Sequence, residues 1–516
     1  MKKNMSKIIS LTVAISLAAS LSACGGGSDT KASDSTVANS TTAAETGSST
    51  TSTKGLSAKL KILYPGDKPA GQDAVDKAVS EKLKAEGMDF TFEYTFTPTN
   101  DMANKSALIA ASGEDIDFEW AHTSIATSVA QGMFAPLDDA LNNYGQDLLK
   151  SIPEYAFKEV SSKGKIYAIP RVVPSAQNDW VMAIRGDLRE KYGVPEIKTI
   201  EDFEKYAQAI YENEKGMTPI CLSPREFFRA ICPTYYFPAQ GGDYFYPLYI
   251  DQTDPNLTVK NFLESDIYKK FCDKYYEWVQ KGWATKDPSQ LKLGSNDFIA
   301  GKIGTNYANA MWPTEKIDKL YATNPSAKIE IVAFNPEQPK YIQSSCDNLV
   351  TVFAQSKHVN ESVAFMNWVR KDQANYDLYT LGVKDVNYKL DGDSVSYDGI
   401  AKENEYFPVS YVWTDLRFQR YSKNLDPAYL DVIKNWDKGA IQSPLLGINW
   451  DEEVPVWKDA KAKLQTVHAQ YSWMMQKGLI TYDSKKDEML KKAKDAGIDE
   501  YIKEVQRQVD AFKASK

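Results

Sequence analysis

The segment that most restricts the fold runs from residue 57 to residue 120, where two kinds of hydrophobic spacing take turns. Leu60, Ile62 and Tyr64 alternate as a short strand, and Pro65-Gly66-Asp67-Lys68 makes a turn. Val75, Val79 and Leu83 then share one helical face, with Asp73 placed to cap the helix and Gly87 to close it. Phe90, Phe92, Tyr94 and Phe96 alternate with Thr and Glu, the period-two mark of a strand. A second helix is predicted over 101–111, stopped near Gly113, and a third strand over 116–120. Strand–helix–strand–helix–strand implies a parallel sheet with right-handed crossovers, so the fold class is α/β. Ligands of such open sheets sit outside the carboxyl ends of the strands, here 64–68, 96–100 and 120–123.

Farther on, 165–170 reads as a hairpin or strand and 179–185 as another strand. Thr199 starts a helix with Phe203, Tyr206, Ala207 and Ile210 on one face, ending near Gly216. The stretch 218–260 is dense in Pro, Gly and aromatics and reads as irregular, Tyr-rich surface structure. A helix over 267–279, a short strand beginning at 301–304, strands over 329–334 and 349–354, and a helix over 360–370 follow. Asp391-Gly392-Asp393 reads as a hairpin turn, and helices dominate from Asp451 onward.

The first 24 residues carry an address. Lys2, Lys3 and Lys7 precede a short apolar run over 8–19, too short for a comfortable membrane span and typical of an export signal. The ending Leu21-Ser22-Ala23-Cys24 resembles the lipobox of bacterial lipoproteins, which implies cleavage before Cys24 and diacylation of its sulfur. An ordinary signal peptide with a chance cysteine is the alternative. Residues 25–55 are almost all Gly, Ser, Thr, Ala, Asp and Lys, a flexible leash with a typical reach of roughly 30 Å. The formal charge is −8, and cleavage would remove three lysines and no acid, so phosphate repulsion argues against nucleic acid as a partner. Hydrophobic residues make up 43% and charged residues 25%, which excludes a mainly disordered or multi-span membrane chain. With three histidines (His122, His358 and His468) there is little room for a metal site, and no cofactor is expected. Outside the cell Cys221 and Cys232 form the most local disulfide candidate, with buried free thiols equally open.

Several short runs, in this order, resemble the extracellular solute-binding proteins of family 1, the receptor components of ABC importers. They are Ile116-Asp117-Phe118, the run from Gly132 to Asp139, Tyr167-Ala168-Ile169-Pro170 and Ile184-Arg185-Gly186-Asp187-Leu188. In the tail, Ser443-Pro444-Leu445-Leu446-Gly447, Asp495-Ala496-Gly497-Ile498-Asp499 and Gln506-Arg507-Gln508-Val509-Asp510 resemble the helical extension of the long Gram-positive lipoprotein subgroup. The resemblance implies a two-lobed periplasmic-binding-protein-like fold of type II, with hinge strands between lobes and a helical C-terminal region. The divisions it implies are a signal peptide over 1–23 and a lipidated linker over 24–56. A first lobe is expected from 57–175 and 340–405, and a second from 176–339 and 406–516. It also implies a monomer held at the outer face of the cytoplasmic membrane of a Gram-positive bacterium. Its partners would be a carbohydrate, the ABC permease subunits and their ATPase.

Sugars present apolar C–H faces and a rim of hydroxyls, so a sugar cleft wants flat aromatic rings beside planar polar groups. Trp120 and His122 lie at a strand's carboxyl end; Asn178 and Trp180 lie at the expected lobe crossing. Tyr307, Asn309 and Trp312 interleave polar and aromatic groups, Asn348 precedes a returning strand, and Trp413 and Arg417 begin the tail. Asp67 and Arg171 could bind hydroxyls or serve as caps and ion pairs. Two rivals stay open: a lipid-anchored glycoside hydrolase and a receptor for peptides or another small solute. A hydrolase needs two carboxylates roughly 5–10 Å apart, and pairs such as Asp117 and Glu119 exist, but with 69 acids their presence carries no information. No nucleophile elbow, metal-binding helix or phosphate loop is present in the sequence, so no catalytic residue is expected.

Overall fold

A computed structural model describes residues 52–121, 125–173, 175–176, 180–222, 227–228, 231–238, 245–287, 295–309, 312–342, 348–408 and 412–516. Its first sheet has five strands in the order Asp89–Thr97, Ser57–Pro65, Phe118–Ala121, Leu349–Val352, Ile169–Pro170. The first three pair in parallel, with Leu60 opposite Phe92 and Ile62 opposite Phe118. The last two join antiparallel, so the sheet is mixed. Leu349–Val352 is buried at all four positions and lies between two neighbouring strands.

The helix expected after the first turn runs Gln72–Ala85, with Val75, Val79 and Leu83 on its buried face. Asp73 does not cap it. Gly71 holds the cap position, and its N–H donates to the Glu405 carbonyl at 2.9 Å. A Cβ there would lie 2.7 Å from Asn387 Nδ2 and 3.0 Å from the Asn404 carbonyl, so the approach of these backbones requires glycine. Helix Met102–Ser112 ends as expected on a left-handed glycine, Gly113 at φ +68°. Helix Ile200–Asn213 is capped by Thr199, whose Oγ1 accepts the Asp202 N–H at 3.2 Å.

The second lobe contains an antiparallel sheet ordered Thr305–Asn309, Trp180–Arg185, Ile329–Val332. Most of its apolar interior belongs to one large aromatic core. Tyr268, Phe271, Tyr275 and Trp278, on helix Asp266–Gln280, pack with Phe203, Phe227 and Phe228. The Tyr-rich middle joins the same core through Phe245, Tyr246 and Leu248. The C-terminal helices Pro455–Val467, Tyr482–Asp495 and Ile498–Ala514 close it with Trp457, Tyr482 and Tyr501. Full burial of each large ring contributes about 1.5–3 kcal/mol.

Two expectations are corrected here. Cys221 and Cys232 are separate buried thiols and not a disulfide: one packs with Ala183 and Trp436, the other in the aromatic core. Burial pushes Cys221 up to about 11 and Cys232 up to about 12. The stretch 218–260, expected at the surface, turns inward instead, with Phe227, Phe228, Phe245, Tyr246 and Leu248 buried in the aromatic core, while Tyr406, Val412 and Trp413 pack inside the first core. Cys24 and the leader lie outside the described residues.

Candidate functional site

The two cores are joined by three chain crossings. The chain leaves the first core after Ile169 and enters the second lobe at Ala176. It leaves the second core after Phe334 and returns at Leu349. The third crossing leads from Trp413 to Tyr421.

At the first-lobe end, the first and third crossings lie side by side. Val172 N–H donates to the Thr414 carbonyl, and Leu416 N–H donates to Val172, both at 3.0 Å. Beneath them Arg370, 1% exposed, donates from Nη1 to the Pro170 carbonyl at 2.6 Å. Its Nε and Nη2 make no hydrogen bond, and burial lowers its pKa, partly offset by Asp415. Arg417 grips the fully buried Asp415 with a fork, Nε to Oδ1 at 3.0 Å and Nη2 to Oδ2 at 2.6 Å. At the second-lobe end a single carboxylate does the holding. Asp437 accepts the Ser175 N–H at 2.9 Å and the Ala176 N–H at 2.7 Å. Trp436 Nε1 donates to the Ala176 carbonyl at 2.9 Å, and Lys340 Nζ stands 4.5 Å over the Trp436 ring.

Against this frame the sequence-derived candidates fall into distinct places. Trp120 and Asn348, 228 positions apart, meet directly: Trp120 Nε1 donates to Asn348 Oδ1 at 2.9 Å. Both are buried, at 4% and 9% exposure, as is Arg171 beside them on the first crossing. Asp67 is exposed at the carboxyl end of its strand. The ring of Trp413 packs in the first core, edge-on to Phe118, Phe365 and Tyr379. Arg417 is spent on Asp415 and the Arg370 carbonyl, a brace of the crossing. His122 and Asn178 lie outside the described residues. Trp180, Tyr307, Asn309 and Trp312 are described by backbone alone: Asn309 pairs with Trp180 across the second-lobe sheet, and Trp312 opens helix Trp312–Thr323.

Sequence reading missed Arg370 and Asp437, whose partners lie 200 and more positions away, and Asp415, whose partner Arg417 is two positions off but forms no distinctive local pattern. Asp117 and Glu119 are both closed off, at 1% exposure. Asp117 is held by the Lys61 N–H, Ser356 and His358. Glu119 accepts from Ser106 Oγ at 2.7 Å, and burial pushes it up to about 8. Among the described residues no cluster of His, Cys, Asp and Glu could hold a metal ion, and no helix is long and apolar enough to cross a membrane.

Two separately cored α/β lobes joined by three crossings define a two-lobed solute-binding protein with a helical C-terminal region. The family model for bacterial extracellular solute-binding proteins matches residues 67–376, and the chain belongs to that family. Residues 452–514 match a further domain of unknown function, DUF3502. A carbohydrate ABC transporter substrate-binding protein of Streptococcus pneumoniae serotype 4 (strain ATCC BAA-334 / TIGR4) is 26% identical over 285 residues, 53% of this chain. That match spans about half of the relative's length, 51%. Among solved structures, the N-glycan transport solute binding protein NgtS of Streptococcus pneumoniae superposes with a TM-score of 0.75 at 19% identity, over 89% of this chain and 99% of that one. The substrate binding protein FusA of S. pneumoniae, in complex with kestose, gives 0.59 at 16% identity, over 89% and 100%. At these identities the superpositions speak for the fold alone.

Proposed function

We propose that this chain is the lipid-anchored substrate-binding receptor of an ABC importer. It captures a carbohydrate, an oligosaccharide, between its lobes and hands it to the permease without cleaving it. The observation that carries the reading is the hydrogen bond between Trp120 and Asn348 where the chain passes between two separate cores, with Arg171 buried on the first crossing. An indole edge, an amide and a guanidinium at the base of a cleft suit a ligand with apolar faces and many hydroxyls. The pneumococcal relative's designation as a carbohydrate receptor and the NgtS complexes with Man1GlcNAc and Man5GlcNAc support the same ligand class.

In this reading the lobes divide within the three crossings, and closure swings one clamp against the other. Trp180, Tyr307, Asn309 and Trp312 serve from the second lobe; Asp67, Trp120, His122 and Asn348 serve from the first, with Arg171 and Asn178 on the crossing itself. Cys24 carries the lipid and residues 25–55 the leash, so the receptor works as a monomer at the outer face of the membrane. The test is the melting temperature of the purified chain with mono- and oligosaccharides, and with peptides as controls. A ligand at 100 times its Kd adds about 2.7 kcal/mol, a shift of a few degrees at this size. Stabilisation by one glycan class is the expected result. Stabilisation by peptides alone would overturn the sugar assignment, and release of free sugar by the protein would overturn the receptor.

A further inference from the structure

Phe407 is the most exposed aromatic side chain among the large exposed hydrophobic residues described, at 55%. Its neighbour Tyr406 turns inward, 2% exposed, with its hydroxyl donating to the Tyr379 carbonyl at 2.9 Å. Phe407 thus stands outward by the alternation of an extended segment. Its ring lies 4.7 Å from that of Tyr397 at 60°, which fixes the ring while leaving more than half of the residue in water. Burying a phenylalanine yields about 1.5–3 kcal/mol, and this one forgoes much of it.

The position of the pair is informative on two sides. On the first-lobe side, the Gly71 N–H donates to the Glu405 carbonyl and Asn387 Nδ2 to the Asn404 carbonyl. These bonds hold the 404–407 segment near the turn that follows strand Ser57–Pro65, the sheet edge at which ligands of such folds bind. On the second-lobe side, Tyr397 follows strand Ser394–Ser396, which is laced to residues 421–423 through Val395. There Ser422 and Asn424 both donate to Asp318, on the helix that begins at Trp312. Asp318 lies six residues beyond Trp312, about 9 Å along the axis at the usual helical rise.

We propose that Phe407, backed by Tyr397, is the platform of an outer subsite that holds a distal sugar unit of a bound oligosaccharide. An open ring face fits the C–H face of a sugar, and a rigid aromatic neighbour keeps it in place. Phe407 lies on a different segment from the hydrogen-bonded pair Trp120 and Asn348, so a ligand that engages both is a chain of sugars instead of a single ring. The inference rests on the carbohydrate reading above and sharpens it to ligand length.

The experiment is calorimetric titration of the full chain and of Phe407→Ala, Phe407→Leu and Phe407→Trp variants. The probes are Man1GlcNAc, Man5GlcNAc, kestose and malto-oligosaccharides of increasing length. In the class that binds, Phe407→Ala and Phe407→Leu should weaken the longest members about five- to tenfold and leave the shortest unchanged, with Phe407→Trp restoring the long ones. Leucine keeps the apolar bulk, so a loss shared by both variants reports the missing ring. Glycan binding that is unaffected by the variants at every length, or equally weakened at every length, would overturn the outer subsite and leave the carbohydrate reading standing. A wild-type chain that binds no glycan of the panel would overturn both.

Discussion

The two lobes are cored by different means. The first is organised on one sheet whose central strands are buried on both faces, and it accommodates Asp117 and Glu119 within that sheet by giving each a partner. The second depends on interlocked rings from distant segments, with Trp278 against Phe203 and Phe227 and with Tyr268 against Tyr482. A sheet fixes its neighbours by backbone hydrogen bonds and can tolerate a buried acid that is paired. A ring cluster is held by shape, so its sensitivity lies in volume.

That contrast can be broken first in the aromatic core. Trp278 is fully buried and donates from Nε1 to Glu204 at 2.8 Å. Trp278→Ala should cost about 3–5 kcal/mol in urea unfolding, and a loss under about 1 kcal/mol would show that the cluster refills the space. In the first lobe the sensitive quantity is charge. Glu119 is held above its unfolded value, so its favourable contribution is complete below about pH 4.5 and is lost as pH rises through about 8. Wild-type stability should therefore fall by a few kcal/mol between those limits. Glu119→Gln should flatten that slope; an unchanged slope would place the titrating group elsewhere.

The crossings offer smaller effects. Asp437→Ala leaves the Ser175 and Ala176 N–H groups without their carboxylate, at a cost of about 1–3 kcal/mol. It should also change ligand affinity, whereas a purely structural role would move melting alone. Smallest is the cap: Thr199→Ala should cost about 1 kcal/mol with no effect on binding, read by thermal melting and titration together.

How much of this was legible depended on the range of the forces involved. Helix Met102–Ser112 with Gly113 and helix Ile200–Asn213 with Thr199 were readable because the capping partners lie within a few residues. Asp73 misled as a cap because Gly71 is tied down by Glu405, Asn387 and Asn404, more than 300 positions away. Trp120 and Asn348 were each readable as polar or aromatic groups beside strands, but their mutual bond was not. The packing of Trp413 was not readable, because an aromatic next to polar residues looks the same whether it faces solvent or Phe365.

By itself the sequence determined the α/β class, the early sheet's parallel order, most helix limits and the family, since these follow from periodicity, capping chemistry and short ordered motifs. Only the tertiary structure decided which residues share each core, which carboxylates hold the crossings, that Cys221 and Cys232 stay apart and that Phe407 stands in solvent. Local spacing sets which residues share a face. Which faces meet is settled by burial and hydrogen-bond satisfaction over the whole chain, and no short window of sequence contains that sum.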